Sequence, residues 1–237
     1  MKSRLLRAVV AGALACTAWS AQAMTLSLNG WANGYQTVSV GSPNLSNQAA
    51  GAFQGTLSGS GGFDANPFYT YCVEITQNFS FGNPLQGYSV VGGVNYFGSV
   101  LVNGNPLPAA ATTIVDRLGR LFTVLGGANS PASSTASAAI QLAVWESVYE
   151  SGGALNVSSG QGSFAASSAP AGVISAANTL LAQASALSQS LYSISVLSNA
   201  QRQDFVLVQR VPEPATLALV GMALAAGLGA VKRRPRR

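Results

Sequence analysis

Apolar and polar residues alternate through much of the first half of the chain, which is typical of β-strands. The clearest predicted strand covers residues 68–81, where one face carries Tyr69, Tyr71, Val73 and Ile75 and the other Thr70, Cys72 and Glu74. Other strands are predicted within residues 24–40, around Phe53 and Leu57, and at residues 88–91 and 94–102. The first half is therefore expected to form mainly β-structure.

In the second half, apolar residues recur at helical spacing. Helices are predicted over residues 112–125, 130–150 and 170–191. The second helix is expected to begin with Ser130 as its N-cap and Pro131 in its first turn. A hairpin follows, at residues 194–197 and 205–209. The predicted class is α+β: an antiparallel sheet or sandwich with a helical insertion between early and late strands.

The first 23 residues have the pattern of a secretory signal peptide. Three basic residues precede an apolar run at residues 8–18, and Ala21-Gln22-Ala23 offers a small-x-small cleavage site. We therefore expect a signal peptidase to remove residues 1–23.

The last 27 residues combine a proline-flanked acid, an apolar run and a basic tail. Val211-Pro212-Glu213-Pro214 is followed by residues 215–231, which carry no charge, and then by a lysine and four arginines. The apolar run is near the short end of what crosses a hydrocarbon core. It predicts a transmembrane helix over residues 215–231 with its basic end in the cytoplasm.

This order of motif, span and arginine cluster resembles the PEP-CTERM sorting signal. The resemblance implies recognition by an exosortase, a membrane protease thought to cleave near the motif. It also implies a Gram-negative bacterium that makes exopolysaccharide. It covers residues 211–237 only, so it leaves open what residues 24–210, the expected exported domain, do.

The charge distribution argues against nucleic-acid binding. The formal charge of the whole chain is +5, but eight of its twelve basic residues lie in the two terminal segments. Residues 24–210 keep four arginines against six acidic residues, a net charge of about −2. A domain without a basic patch cannot neutralise phosphates, so nucleic acid is not an expected partner.

The chain contains no histidine, and Cys72 is the one cysteine after the signal peptide. The absence of histidine removes Ser-His-Asp and Cys-His catalysis and most zinc sites. A single cysteine cannot form a disulfide within the domain, so an exported thiol needs another explanation. No metal or cofactor is expected.

A glutamine on the second predicted helix offers a partner for that thiol. Gln141, Trp145 and Tyr149 follow one another at four-residue spacing and therefore share a helix face. A Cys thiol and a Gln amide can condense, with loss of ammonia, to an internal thioester. Neighbouring aromatic side chains, Tyr71 and Trp145 among them, would shield that bond from water, and an incoming amine could then attack the acyl carbon.

The pattern Tyr71-Cys72 on a strand, with Gln141-x-Ala143-x-Trp145 far downstream on a helix, resembles the thioester domains of bacterial surface adhesins. The resemblance implies a bond between Cys72 and Gln141 that captures amines on a surface or matrix polymer, with Trp145 as shielding. One position departs from the family pattern, because Ile140 stands where threonine usually precedes the glutamine. Residues 24–210 also contain no lysine, so no internal ε-amine would consume such a bond.

Two other interpretations remain open. In the first, Cys72 is a small buried hydrophobe, Gln141 bonds backbone, and the protein is a passive component of the surface or the exopolysaccharide matrix. In the second, Glu146 and Glu150 form the acid/base pair of a polysaccharide hydrolase. We expect no enzymatic activity, because two carboxylates four residues apart are more often a solvated helix face.

Overall fold

The structure is a computed structural model that describes residues 24–211 apart from residues 83, 159 and 161. These residues form an α+β fold, as predicted. The strands are β1 (Thr25–Trp31), β2 (Gln36–Ser42), β3 (Asn44–Ala50), β4 (Phe53–Ser58), β5 (Ala65–Thr70), β6 (Ser89–Gly92), β7 (Leu101–Val102), β8 (Asn105–Pro106), β9 (Ala165–Ser168), β10 (Tyr192–Ser198) and β11 (Phe205–Arg210). The helices are α1 (Gly93–Ser99), α2 (Ala111–Leu125), α3 (Ser134–Tyr149) and α4 (Val173–Ser185).

The strands form small antiparallel sheets around a shared core. Three sheets have three strands each, in the orders β1-β4-β5, β3-β2-β9 and β11-β10-β6, and β7 pairs with β8. The predicted helical insertion therefore lies between β6 and β10, but β9 interrupts it and returns to pair with β2. The predicted final hairpin is confirmed as β10 and β11.

Helix α3 lies at the centre of the molecule. Every side chain from Ser137 to Tyr149 is buried, because apolar residues occur on every side of this helix and its few polar side chains find partners in the core. It begins later than predicted: Ser133, not Ser130, is the N-cap and accepts a hydrogen bond from the Ala136 N–H at 3.2 Å. Ser130 instead accepts a hydrogen bond from Asn33, which draws it towards the β1–β2 turn.

Two strand predictions were wrong in detail, and strands were also missed. The strand predicted at residues 94–102 is mostly helix α1, which buries Tyr96 and Phe97. Strand β5 ends at Thr70, well short of residue 81. Strand β3 was missed, because most of its side chains are exposed or half-buried and give no alternating apolar signal.

Within the part of the chain that the structure describes, no helix has the length and apolar character needed to cross a membrane. The predicted signal peptide, residues 1–23, and the predicted span, residues 215–231, lie outside the described residues.

Candidate functional site

Cys72 lies just beyond β5, where the chain runs beside β11. It forms an isolated antiparallel bridge with Phe205, flanked by hydrogen bonds from the Val206 N–H to the Tyr71 carbonyl at 2.9 Å and from the Val73 N–H to the Asp204 carbonyl at 3.1 Å. The side chain of Cys72 is buried. Backbone pairing with β11 thus holds this residue in an extended conformation inside the core.

The side-chain amide of Gln141 pairs with the backbone of Cys72. Its Oε1 accepts a hydrogen bond from the Cys72 N–H at 3.0 Å, and its Nε2 donates one to the Cys72 carbonyl at 2.9 Å. Gln141 is fully buried in the middle of α3, so no water competes for either bond. The structure therefore brings together the two residues that the sequence singled out, with the Gln141 amide hydrogen-bonded to the backbone of Cys72.

The face of α3 that carries Gln141 follows the chain around Cys72. One turn further along the helix, Trp145 lines the same cleft as Cys72. Another turn on, the Tyr149 hydroxyl accepts a hydrogen bond from the Ile75 N–H at 3.0 Å. The shared helix face inferred from the four-residue spacing thus faces residues 72–75.

A small aromatic cleft covers Cys72. It encloses about 130 Å³, and its wall contains Trp31, Phe53, Phe79, Phe81 and Trp145. Four of these rings, those of Trp31, Phe53, Phe79 and Phe81, form a continuous cluster: the centroids of Trp31 and Phe53 are 4.4 Å apart, and those of Phe53 and Phe79 are 4.9 Å apart. Sequence reasoning missed the contribution of Trp31, Phe53, Phe79 and Phe81, although the pair Phe79-x-Phe81 at the end of the strand predicted over residues 68–81 was a visible signal.

Tyr71 does not contribute to this cleft. Successive residues of an extended chain point to opposite sides, and the Tyr71 ring lines a different cavity and packs towards Phe122. Tyr71 therefore lies on the opposite side of the chain from the aromatic side chains that line the Cys72 cleft.

The segment after Cys72 is held by side chains instead of a sheet. The Glu74 carboxylate accepts hydrogen bonds from the Thr76 N–H at 2.8 Å and the Gln77 N–H at 2.6 Å. Gln203 donates a side-chain hydrogen bond to the Glu74 carbonyl. These hydrogen bonds give partners to the polar groups of an irregular backbone segment. Without them, those groups would be buried away from water and unpaired.

The electrostatic environment keeps the Cys72 thiol protonated. Burial raises the pKa of the Cys72 thiol well above its usual value, and the nearby negative charge of Glu74 raises it further. Because the thiolate is the reactive form towards oxidants and alkylating agents, the folded protein protects this sulfur.

Glu146 and Glu150 are not arranged as an acid/base pair in a cleft. Glu146 is fully buried and accepts a hydrogen bond from the Asn156 N–H at 2.6 Å. Glu150 accepts hydrogen bonds from the backbone N–H groups of Gly152 and Ser163, at 3.0 and 2.6 Å. Both carboxylates thus fix the loop that follows α3. No group of three or more cysteine or acidic side chains in the described ranges could hold a metal ion.

Of the predicted sorting motif, the structure describes Val211 alone. Its N–H donates a hydrogen bond to the Leu191 carbonyl at 2.8 Å, which continues the β10–β11 pairing to the surface. Pro212, Glu213 and Pro214 lie outside the described residues.

One family model matches the chain: residues 210–236 match the PEP-CTERM protein-sorting motif. This finding supports a protein that is exported, processed at the membrane by an exosortase and sorted to the cell surface. No curated protein and no solved structure matches the chain. The likeness of residues 24–210 to the thioester domains of adhesins therefore has no support from these comparisons.

Proposed function

We propose that this chain is a non-enzymatic surface or matrix protein whose exported domain forms an internal thioester between Cys72 and Gln141 and attaches covalently to amines. The observation that carries the proposal is the pair of hydrogen bonds between the Gln141 amide and the Cys72 backbone. Sorting by an exosortase would deliver the reactive domain to the cell surface, where amine-bearing polymers of the surface or the exopolysaccharide matrix are the expected targets.

Formation of the thioester needs no other reactant, and its later opening needs only a primary amine of the target. In the first step, the Cys72 Sγ attacks the amide carbon of Gln141, the C–N bond breaks, and the thiol proton leaves with the nitrogen as ammonia. In the second step, a primary amine attacks the same carbon, the C–S bond breaks, and a proton from the amine restores the thiol. The product is an amide that links the side chain of residue 141 to the target.

The backbone N–H of Cys72 suits both steps. It already donates to Oε1 at 3.0 Å, and both steps develop negative charge on that oxygen in the tetrahedral intermediate. A donor fixed in place before the reaction stabilises such charge without reorganisation.

The residues around Cys72 and Gln141 would protect the thioester from hydrolysis and from competing amines. Gln141 is fully buried, which limits the access of water to the acyl carbon. The domain's lack of lysine removes internal ε-amines as competitors.

Intact-mass measurement of the exported protein tests the proposal. The expected mass is lower than the sequence mass by one ammonia, and exposure to methylamine should give a covalent adduct. The variants Cys72→Ala and Gln141→Ala should each have the full sequence mass and form no adduct. A full mass for the wild-type protein, with a thiol that alkylates freely after unfolding, would contradict the thioester.

A passive structural role is the second candidate, and the same site favours it in one respect. Both polar ends of the Gln141 amide have a backbone partner, and the buried thiol is held protonated, so the pair is a satisfied core contact without any reaction. The full-mass outcome would support this function.

A further inference from the structure

A second and larger cavity lies between α2, α3 and α4, on the other side of the chain from the Cys72 cleft. It encloses about 480 Å³. Tyr71, Ala139 and Ile140 form its buried floor, and Asn129 and Thr179 lie at its exposed rim.

The cavity exists because small residues occupy positions where helices normally interdigitate large ones. Ala136 and Ala139 on α3 face Ala176 on α4, and Gly127 closes the end of α2. Protein interiors are close-packed, and voids larger than a water molecule are few. The space left here is several times larger than such a void.

Tyr71 supplies an independent indication that the cavity takes a ligand. The residue is 1 % exposed, and burial raises its pKa with no hydrogen bond contributing. The other three buried tyrosines all use their hydroxyls: Tyr88 donates to the Gln203 carbonyl, Tyr96 to Asp204, and Tyr149 accepts from Ile75. A buried tyrosine hydroxyl usually finds a partner. The Tyr71 hydroxyl makes no hydrogen bond to another described residue, and the Tyr71 side chain lines the cavity, so a molecule inside the cavity can pair with it.

The lining specifies the class of ligand. No charged side chain contributes to it, so a charged molecule would enter without a counter-ion. An apolar cavity of about 150 Å³ holds benzene, so this one has room for about two to three fused rings. An alkyl chain would place an apolar methyl group on the floor and leave Tyr71 unpaired, whereas a ring with one oxygen would pair with it.

We propose that this cavity binds a neutral, mostly apolar ring compound with one hydrogen-bonding oxygen, and that the Tyr71 hydroxyl recognises that oxygen. This site is separate from the proposed thioester, and its occupancy does not depend on whether that bond forms.

Binding of 2-naphthol and naphthalene to the full chain, followed by their fluorescence, tests the proposal. The two probes have the same ring system and differ by the oxygen. We expect 2-naphthol to bind about tenfold more tightly than naphthalene to the wild-type protein, because one satisfied buried hydrogen bond contributes about 1–1.5 kcal/mol.

Two variants locate the site. Tyr71→Phe should remove the preference for 2-naphthol and leave naphthalene binding unchanged. Ala136→Leu, which fills the half-buried mouth of the cavity, should weaken the binding of both probes. A thermal melt confirms that each variant is folded. The proposal is overturned if the wild-type protein binds neither probe or binds both equally. That comparison uses the wild-type protein alone, so it stands even if a variant does not fold.

Discussion

The buried side-chain amide of Gln141 makes the hydrogen bonds to Cys72 that a neighbouring strand would otherwise make. Cys72 pairs with β11 along one edge of its backbone, and the Gln141 side chain occupies the other edge. In the unreacted protein, the fold therefore depends on this side chain.

Replacing Gln141 with leucine should destabilise the protein by about 2–4 kcal/mol, because the Cys72 N–H and carbonyl would both be buried without partners. The free energies of unfolding of the variants are compared in a Cys72→Ala background, where no covalent bond contributes. Denaturant unfolding measures them. The matched control is Gln86→Leu at an exposed site, which should change stability by less than about 0.5 kcal/mol. Equal effects of the two substitutions would argue against the backbone-pairing role.

Glu146 carries a carboxylate where the surroundings disfavour charge. Burial raises its pKa to about 7, and Oε2 has no hydrogen-bond partner within the described residues. Between the unfolded value near 4.5 and about 7, the folded protein holds a proton that the unfolded chain releases. Stability is therefore expected to fall as the pH rises through this interval.

The variant Glu146→Gln should remove that pH dependence and be more stable than the wild-type protein at pH 8, by about 1–3 kcal/mol. The amide oxygen can still accept the hydrogen bond from Asn156, so the substitution changes charge with little change in shape. Urea unfolding at pH 5 and pH 8 measures the effect. A wild-type protein that is equally stable at both pH values would contradict the assignment.

At the scale of elements, the sequence correctly predicted helices whose pattern can be read from neighbouring residues. Helix α2 was predicted to within one residue at its start, because its apolar face repeats regularly and Gly126, at φ 69°, ends it in the left-handed conformation. The same reasoning gave a wrong prediction for residues 94–102. The aromatic and β-branched residues of this segment favour a strand, but packing of Tyr96 and Phe97 into the core selects helix α1.

The start of α3 gives a matched test. Ser133→Ala should destabilise the protein by about 1 kcal/mol, because it removes the side-chain acceptor at the true N-cap. Ser130→Ala, at the position that the sequence favoured, should have a smaller effect, since Ser130 makes an exposed contact with Asn33. Thermal or denaturant unfolding distinguishes the two, and the reverse order would place the helix start at Ser130.

At the scale of the whole molecule, the sorting motif begins at the end of β11. It matches at residues 210–236, and Val211, the last described residue, is exposed and hydrogen-bonded to Leu191. We therefore expect a substitution within the motif to affect sorting without affecting the fold of residues 24–210.

Glu213→Ala within the motif should leave the domain folded but block processing, so that the chain accumulates in the membrane fraction at its unprocessed size. Gln209→Ala, exposed and just before the motif, is the control and should be processed normally. Fractionation and immunoblotting measure the outcome. Normal release of the Glu213 variant would show that this acid is dispensable for sorting.

The sequence by itself determined the sorting motif, the exclusion of histidine-dependent chemistry, the α+β class and the helices with regular apolar spacing. It also singled out Cys72 and Gln141 by their residue types. Only the tertiary structure decided that these two residues, 69 positions apart, are in contact, that Tyr71 faces away from the thiol, and that α2, α3 and α4 leave a cavity between them. The physical reason is that local periodicity fixes the conformation of neighbouring residues, whereas contacts between distant ones depend on how every element packs against the central helix α3.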